Sequence, residues 1–121
     1  MDLSSIHLNL PDFQKFNPED EKTAIEQLEN LKRFENKNAF AREQLIFYYL
    51  QKDISKAQQL AIESRSLIPK NPHFSLYLAQ IAVDNKQCSQ AKEYAKEAKD
   101  KSFGNFSIEL PLQKVYQKCP T

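Results

Sequence analysis

Few side chains here could do covalent or metal chemistry: two cysteines, Cys88 and Cys119, and two histidines, His7 and His73. Zinc modules take their ligands from closely spaced local pairs of Cys and His. These four residues are scattered and form no such pair, so no metal site is expected. The sequence also lacks a Gly-rich phosphate loop, a His-Glu helix motif and a nucleophile elbow. Carboxylates are plentiful, but nothing singles out two of them as acid and base. His73, near the start of an expected helix, reads more simply as a surface side chain than as a catalyst. No catalytic residue and no cofactor are therefore expected. Asn105-Phe106-Ser107 is a formal glycosylation sequon, of use only in a secreting eukaryote.

The elements that would position any site are helices. A single Gly, no Trp and abundant Lys, Glu, Gln, Ala and Leu favour helix over sheets joined by tight turns. At 121 residues, with 40% apolar and 27% charged side chains, the chain has the make-up of one small globular domain rather than a disordered segment. Its net charge of +1 gives no electrostatic case for nucleic acid or an acidic membrane. No apolar run approaches the ~20 residues that span a bilayer, so no direct membrane insertion is expected. The first ten residues lack a basic segment followed by an apolar one, and so show no signal peptide. A cytosolic protein would look like this, and so would a domain cut from a longer exported chain.

The chain also repeats itself with a shift of 34 residues: Ala57 falls on Ala91, Ala61 on Ala95 and Ser64 on Ala98. Leu78 falls on Leu112 one shift later. Residues 1–16 carry no helical period; Ile6, Leu8 and Leu10 alternate until Pro11, which reads as an extended or mobile leader. Asn17 and Pro18, followed by acids, start an N-terminal capping helix over 17–36, with Ala24, Leu28, Leu31 and Phe34 at helical spacing. Repeat one spans 38–71, its second helix capped by Asp53 and striped by Ile54, Ala57, Leu60, Ala61, Ser64 and Leu67 until Pro69. Repeat two spans 72–105, opened by Asn71-Pro72, with Leu78, Ile81 and Ala82 inward and Ala91, Tyr94, Ala95 and Ala98 as the next stripe. Asp84 to Gln87 makes its turn and matches Leu50 to Asp53; Lys101 to Phe106 is a loop. The lysines and glutamates of 92–101 read as a solvated helix face with pairs such as Glu97–Lys101. A C-terminal capping helix over 107–118 keeps the register with Leu112 and Tyr116.

These residues resemble the tetratricopeptide repeat family over about two-thirds of the chain, as roughly two and a half degenerate units. The match comprises Ala79, Tyr48, the pairs Ala57/Ala61 and Ala91/Ala95, and Pro69. The departures are Ala41 and Ser75 at the leading aromatic position, Lys52 and Lys86 at the turn Gly, and Phe103 at the second closing Pro. The resemblance implies an all-α array of about six helices, an α-α superhelix with right-handed stacking, built to hold a partner on its concave face. It places Arg42, Ile46 and Tyr49 on that face from unit one and His73, Leu76, Gln80 and Val83 from unit two. Ile46 and Leu76 can equally pack between repeats. Arg42 could serve in a two-carboxylate clamp for acidic chaperone tails, but Ile46 and Gln80 stand where its Asn belongs, which argues against that function. On this reading, Tyr49→Ala with Arg42→Ala abolishes partner capture and leaves melting nearly unchanged.

The same architecture runs the final helix antiparallel to the one opened by Cys88, which returns Cys119 beside it. A disulfide there would contribute about 3 kcal/mol by loop-closure arithmetic and would fit an oxidising space such as a periplasm. Two unpaired thiols in a cytoplasmic protein are the alternative. The resulting expectation is a non-enzymatic module docking a peptide or partner subunit, within a larger envelope protein for secretion, pilus assembly or glycan transfer if the bridge forms. A self-associating structural domain is the second reading.

Overall fold

The computed structural model describes residues 18–102 and 108–119. The leader, the Asn17 cap, the stretch 103–107 with the sequon, and the last two residues lie outside the described residues. Among the described residues the chain is all-helical: six helices and no strand. They are α1 (Pro18–Phe34), α2 (Ala39–Lys52), α3 (Ile54–Leu67), α4 (Pro72–Asp84), α5 (Cys88–Ser102) and α6 (Glu109–Lys118). None is long and apolar enough to cross a membrane.

Local chemistry sets the starts. Glu19, Asp20 and Glu21 fill the first turn of α1 and Lys32 and Arg33 its last, each sign opposing the helix dipole. The Asn38 side chain accepts from the Ala41 N–H at 2.8 Å, Asp53 from Lys56 at 3.2 Å and Asn71 from His73 at 2.7 Å, so three successive helices carry side-chain N-caps. Pro72 occupies the first turn of α4, where it forfeits no helical hydrogen bond.

The two turns expected to match do not. Helix α2 continues through Leu50, Gln51 and Lys52, and Asp53 alone both ends it and caps α3. In the second unit α4 stops at Asp84 and the chain passes through Lys86 at φ 61°, the left-handed region where a Cβ is unfavourable. The Lys86 and Gln87 N–H groups bond back to Val83 and Ala82 carbonyls and hold that conformation. Helix α5 also runs two residues into the expected loop, through Lys101 and Ser102.

Two apolar clusters form the core. One gathers Leu45, Ile46, Tyr49, Ala57, Leu60, Ala61, Phe74 and Leu78, with Ile25 and Leu28 of α1 packed on it. The other joins Leu76, Ala79, Ala82, Ala91, Ala95 and Ala98 to Ile108, Leu112, Val115 and Cys119. Three members of the sequence stripes fall outside: Phe34 is 83% exposed, Ile54 44% and Tyr116 40%. In α6 Val115 takes the inward place instead, because the buried face runs through Ile108, Leu112, Val115 and Cys119. Cys88 and Cys119 stand at disulfide-bonding distance, Cα atoms 5.4 Å apart, and fasten the end of α6 to the start of α5.

Glu97 is more than one half of a surface pair. It accepts two hydrogen bonds from Arg65 of α3 at 2.7 Å, one from Ser75 of α4 at 2.5 Å and one from Lys101 at 2.7 Å. These bonds, the Arg65 pair foremost, hold its carboxyl down at about 2 against the opposing effect of burial. The folded value lies below the ordinary 4.5, so the stabilisation is complete above pH 4.5 and is lost as pH falls toward 2. Denaturant midpoints compared at pH 7 and pH 3 should show Glu97→Gln lowering stability by roughly 2 kcal/mol at neutral pH and by much less in acid. An equal loss at both pH values would contradict the role given to Glu97.

Candidate docking cleft

The disulfide puts the end of α6 beside the start of α5, which directly follows the end of α4, so α4 and α6 share an end. The last turn of α2 reaches the same region. A cleft of about 270 Å³ opens there. Leu50 and Ile54 wall it from the α2–α3 junction; Gln80, Ile81, Val83 and Asp84 from the last turns of α4; and Pro111, Lys114, Val115 and Lys118 from α6. Its walls are largely aliphatic and its rim carries two cations, one carboxylate and one amide. The volume sits at or below the roughly 300 Å³ where small-molecule sites begin, and suits one or two inserted side chains. Lys114 and Lys118, one helical turn apart, are exposed and make no ion pair with any described residue.

Of the seven residues assigned to the concave face, Gln80 and Val83 line this cleft. His73 is half-buried in the first turn of α4, away from it. The remaining four are occupied by the fold itself. Ile46 is fully buried and Leu76 is 5% exposed, each in a core cluster. Arg42 is 1% exposed. Its guanidinium donates to the Asn36 carbonyl at 2.7 Å, Asn36 Oδ1 at 2.8 Å, Ser64 Oγ at 2.9 Å and Glu63 Oε1 at 3.0 Å. It therefore ties the α1–α2 turn to α2 and α3.

Tyr49 is 7% exposed and donates its hydroxyl to Glu29 of α1. Burial and that carboxylate together push the phenol well above its ordinary value, and it stays neutral. Burial also raises the Glu29 carboxyl, but the hydrogen bonds from Tyr49 and Lys32 more than offset it and leave it lowered. Lys56 Nζ lies 4.6 Å from the centre of the Tyr49 ring. A second recess of about 280 Å³ lies over this cluster, edged by Glu29, Lys32, Lys56 and Glu63. Its charges are largely matched: Lys32 pairs with Glu29 at 3.0 Å and Glu63 with Arg42. That arrangement is a structural network of α1, α2 and α3.

The cleft contains residues that sequence reasoning left out: Leu50, Ile54, Asp84 and the α6 row. The α6 row belongs to the expected capping helix, which lies beyond the two repeats that supply the concave-face residues. The available signal was the spacing of Pro111, Lys114 and Lys118, which places all three on one side of a helix. Among the described residues no group of three or more His, Cys, Asp or Glu is placed to hold a metal ion. The chain matches no protein-family model, no curated protein and no solved structure.

The burial of Arg42 reverses the expectation that its loss is harmless to melting. Arg42→Ala should cost on the order of 3 kcal/mol, because it strips four acceptors of a charged donor and leaves a void. Thermal or denaturant unfolding reads this directly; an unchanged midpoint would mean that the guanidinium is not engaged as described.

Proposed function

We propose that the chain is a non-enzymatic docking module of tetratricopeptide-like build that takes a peptide or partner subunit on the face of its leading helices. The observation that carries this reading is the cleft at the converging ends of α2, α4 and α6. Its aliphatic walls would accept one or two apolar side chains, and Gln80, Asp84, Lys114 and Lys118 would meet the polar groups beside them. A recess this short gives modest affinity unless a host protein adds contacts.

The Cys88–Cys119 pair supports an oxidising setting, such as a bacterial periplasm. There the chain would serve as the soluble domain of a larger envelope protein for secretion, pilus assembly or glycan transfer. The rim charges and the net charge of +1 favour a protein partner over nucleic acid. Self-association through the same face is the competing use, and sedimentation over a range of concentrations separates the two, since a docking module stays monomeric.

Val83 is half-buried at the cleft wall and tolerates a polar replacement better than the core residues do. Peptides selected from a displayed library against the wild-type chain should carry an apolar anchor. Val83→Glu should weaken their binding by at least about tenfold, the effect of losing roughly 1.4 kcal/mol, with helicity retained. Undiminished binding to a well-folded Val83→Glu variant would remove the cleft as the site.

A further inference from the structure

Five of the six described helices carry a basic residue in the last turn, among them Lys52 in α2, Arg65 in α3 and Lys118 in α6. That is the sign which the negative end of a helix dipole favours. Helix α4 is the exception: its last turn has no basic residue, and it ends on Asp84. A carboxylate there adds like charge to the end of the dipole. Asp84 is exposed and makes no ion pair with any described residue.

Asp84 lines the cleft from α4, and Lys114 and Lys118 line it from α6. Opposite charges thus stand around one cleft of about 270 Å³ without meeting. Its deepest residues are aliphatic: Ile81 is 3% and Val115 2% exposed, while Ile54 beside them is 44% exposed. An apolar side chain entering here gains by covering Ile54 and Val83. Its neighbours must then meet the charges. A wholly apolar segment would strip water from Asp84 and the lysines and return no partner. A segment acidic on both sides of its anchor would be repelled by Asp84. A cation at Asp84 and a carboxylate at the lysines would replace the lost water on both walls.

On the docking reading of this cleft, we infer that it selects a peptide of one chemistry: an apolar anchor with a basic residue on the α4 side and an acidic residue on the α6 side. Asp84 receives the base and supplies the α4 end with the positive charge its sequence omits. Lys114 and Lys118 receive the acid. The order of charges fixes the direction in which the segment lies, and it excludes uniformly acidic tails.

The test selects peptides from a displayed random library against the intact wild-type chain. These are then measured on variants at the exposed charged positions, each checked for helicity. Selected peptides should carry Lys or Arg on one side of the anchor and Asp or Glu on the other. Lys114→Glu with Lys118→Glu should weaken them about tenfold at low ionic strength, the effect shrinking as salt is added. Replacing the peptide's acid by Lys should restore binding to that double variant. Asp84→Lys should weaken the original peptides and be rescued by an acid in place of their base. It puts the favoured sign at the end of α4, so its effect is not a loss of fold. Peptides that are weakened by Val83→Glu but bind every charge variant equally would overturn the charge order and leave the docking reading standing. A library that yields no binder sensitive to Val83→Glu would remove that reading and the inference with it. Mass that rises with concentration in the wild-type chain, but not in the double lysine variant, would give the cleft to a second copy instead.

Discussion

The architecture depends on how closely helices can approach along rows of alanine. Ala57 and Ala61 in α3, Ala79 and Ala82 in α4, and Ala91, Ala95 and Ala98 in α5 are all between 0% and 3% exposed. Each alanine contributes little buried area of its own, yet it sets the spacing at which Leu45, Leu60, Leu76, Leu78 and Leu112 interlock. A larger side chain at Ala95 would have to separate α5 from α4, and α6 rests on both. The cleft follows from that spacing, because its walls are the last turns of α2 and α4 and one side of α6, held in register by the alanine rows beneath them.

Polar contacts then fix the order of stacking. Glu63 and Glu97 are equivalent by the 34-residue shift, and each binds back to its own unit's leading helix, Glu63 through Arg42 and Glu97 through Ser75. Glu97 also reaches across to Arg65 of the preceding unit and so joins α3, α4 and α5. The repeat therefore preserves the position of a carboxylate while changing its partners. Arg65 additionally lies over the Tyr94 ring at 5.4 Å, which adds a second contact between the same two helices. Between α2 and α4, Asn71 donates to Glu43 at 2.9 Å, and burial together with Glu43 pushes the Tyr77 phenol up to about 12.

The helices and their order were legible in the sequence because local chemistry decides them. Asp53, Asn71 and Pro72 act where they stand, and the alanine pairs mark the buried sides of α3 and α5 by period alone. The proximity of Cys88 and Cys119 was an implication of the family resemblance, which sets the direction of the final helix; two free thiols were the alternative. The pair stands at disulfide-bonding distance. Of the residues expected on the concave face, only Gln80 and Val83 line the cleft. Arg42 and Tyr49 belong to the unit on which α1 packs, and α1 supplies the Asn36 turn and the Glu29 carboxylate that draw them inside. A repeat register carries no information about such partners, which come from outside the repeat. For the same reason the cleft residues of α6 and the exposure of Ile54 were not foreseen: both depend on where one helix ends against another.

The central claim is that a partner is held where α2, α4 and α6 converge. The most direct measurement is the methyl spectrum of the intact chain titrated with a peptide selected against it. The account requires shift changes concentrated at Leu50, Ile54, Ile81, Val83 and Val115, with Ile25, Leu28 and Ile62 unmoved. Changes centred on those three methyls, with Val83 and Val115 silent, would contradict it.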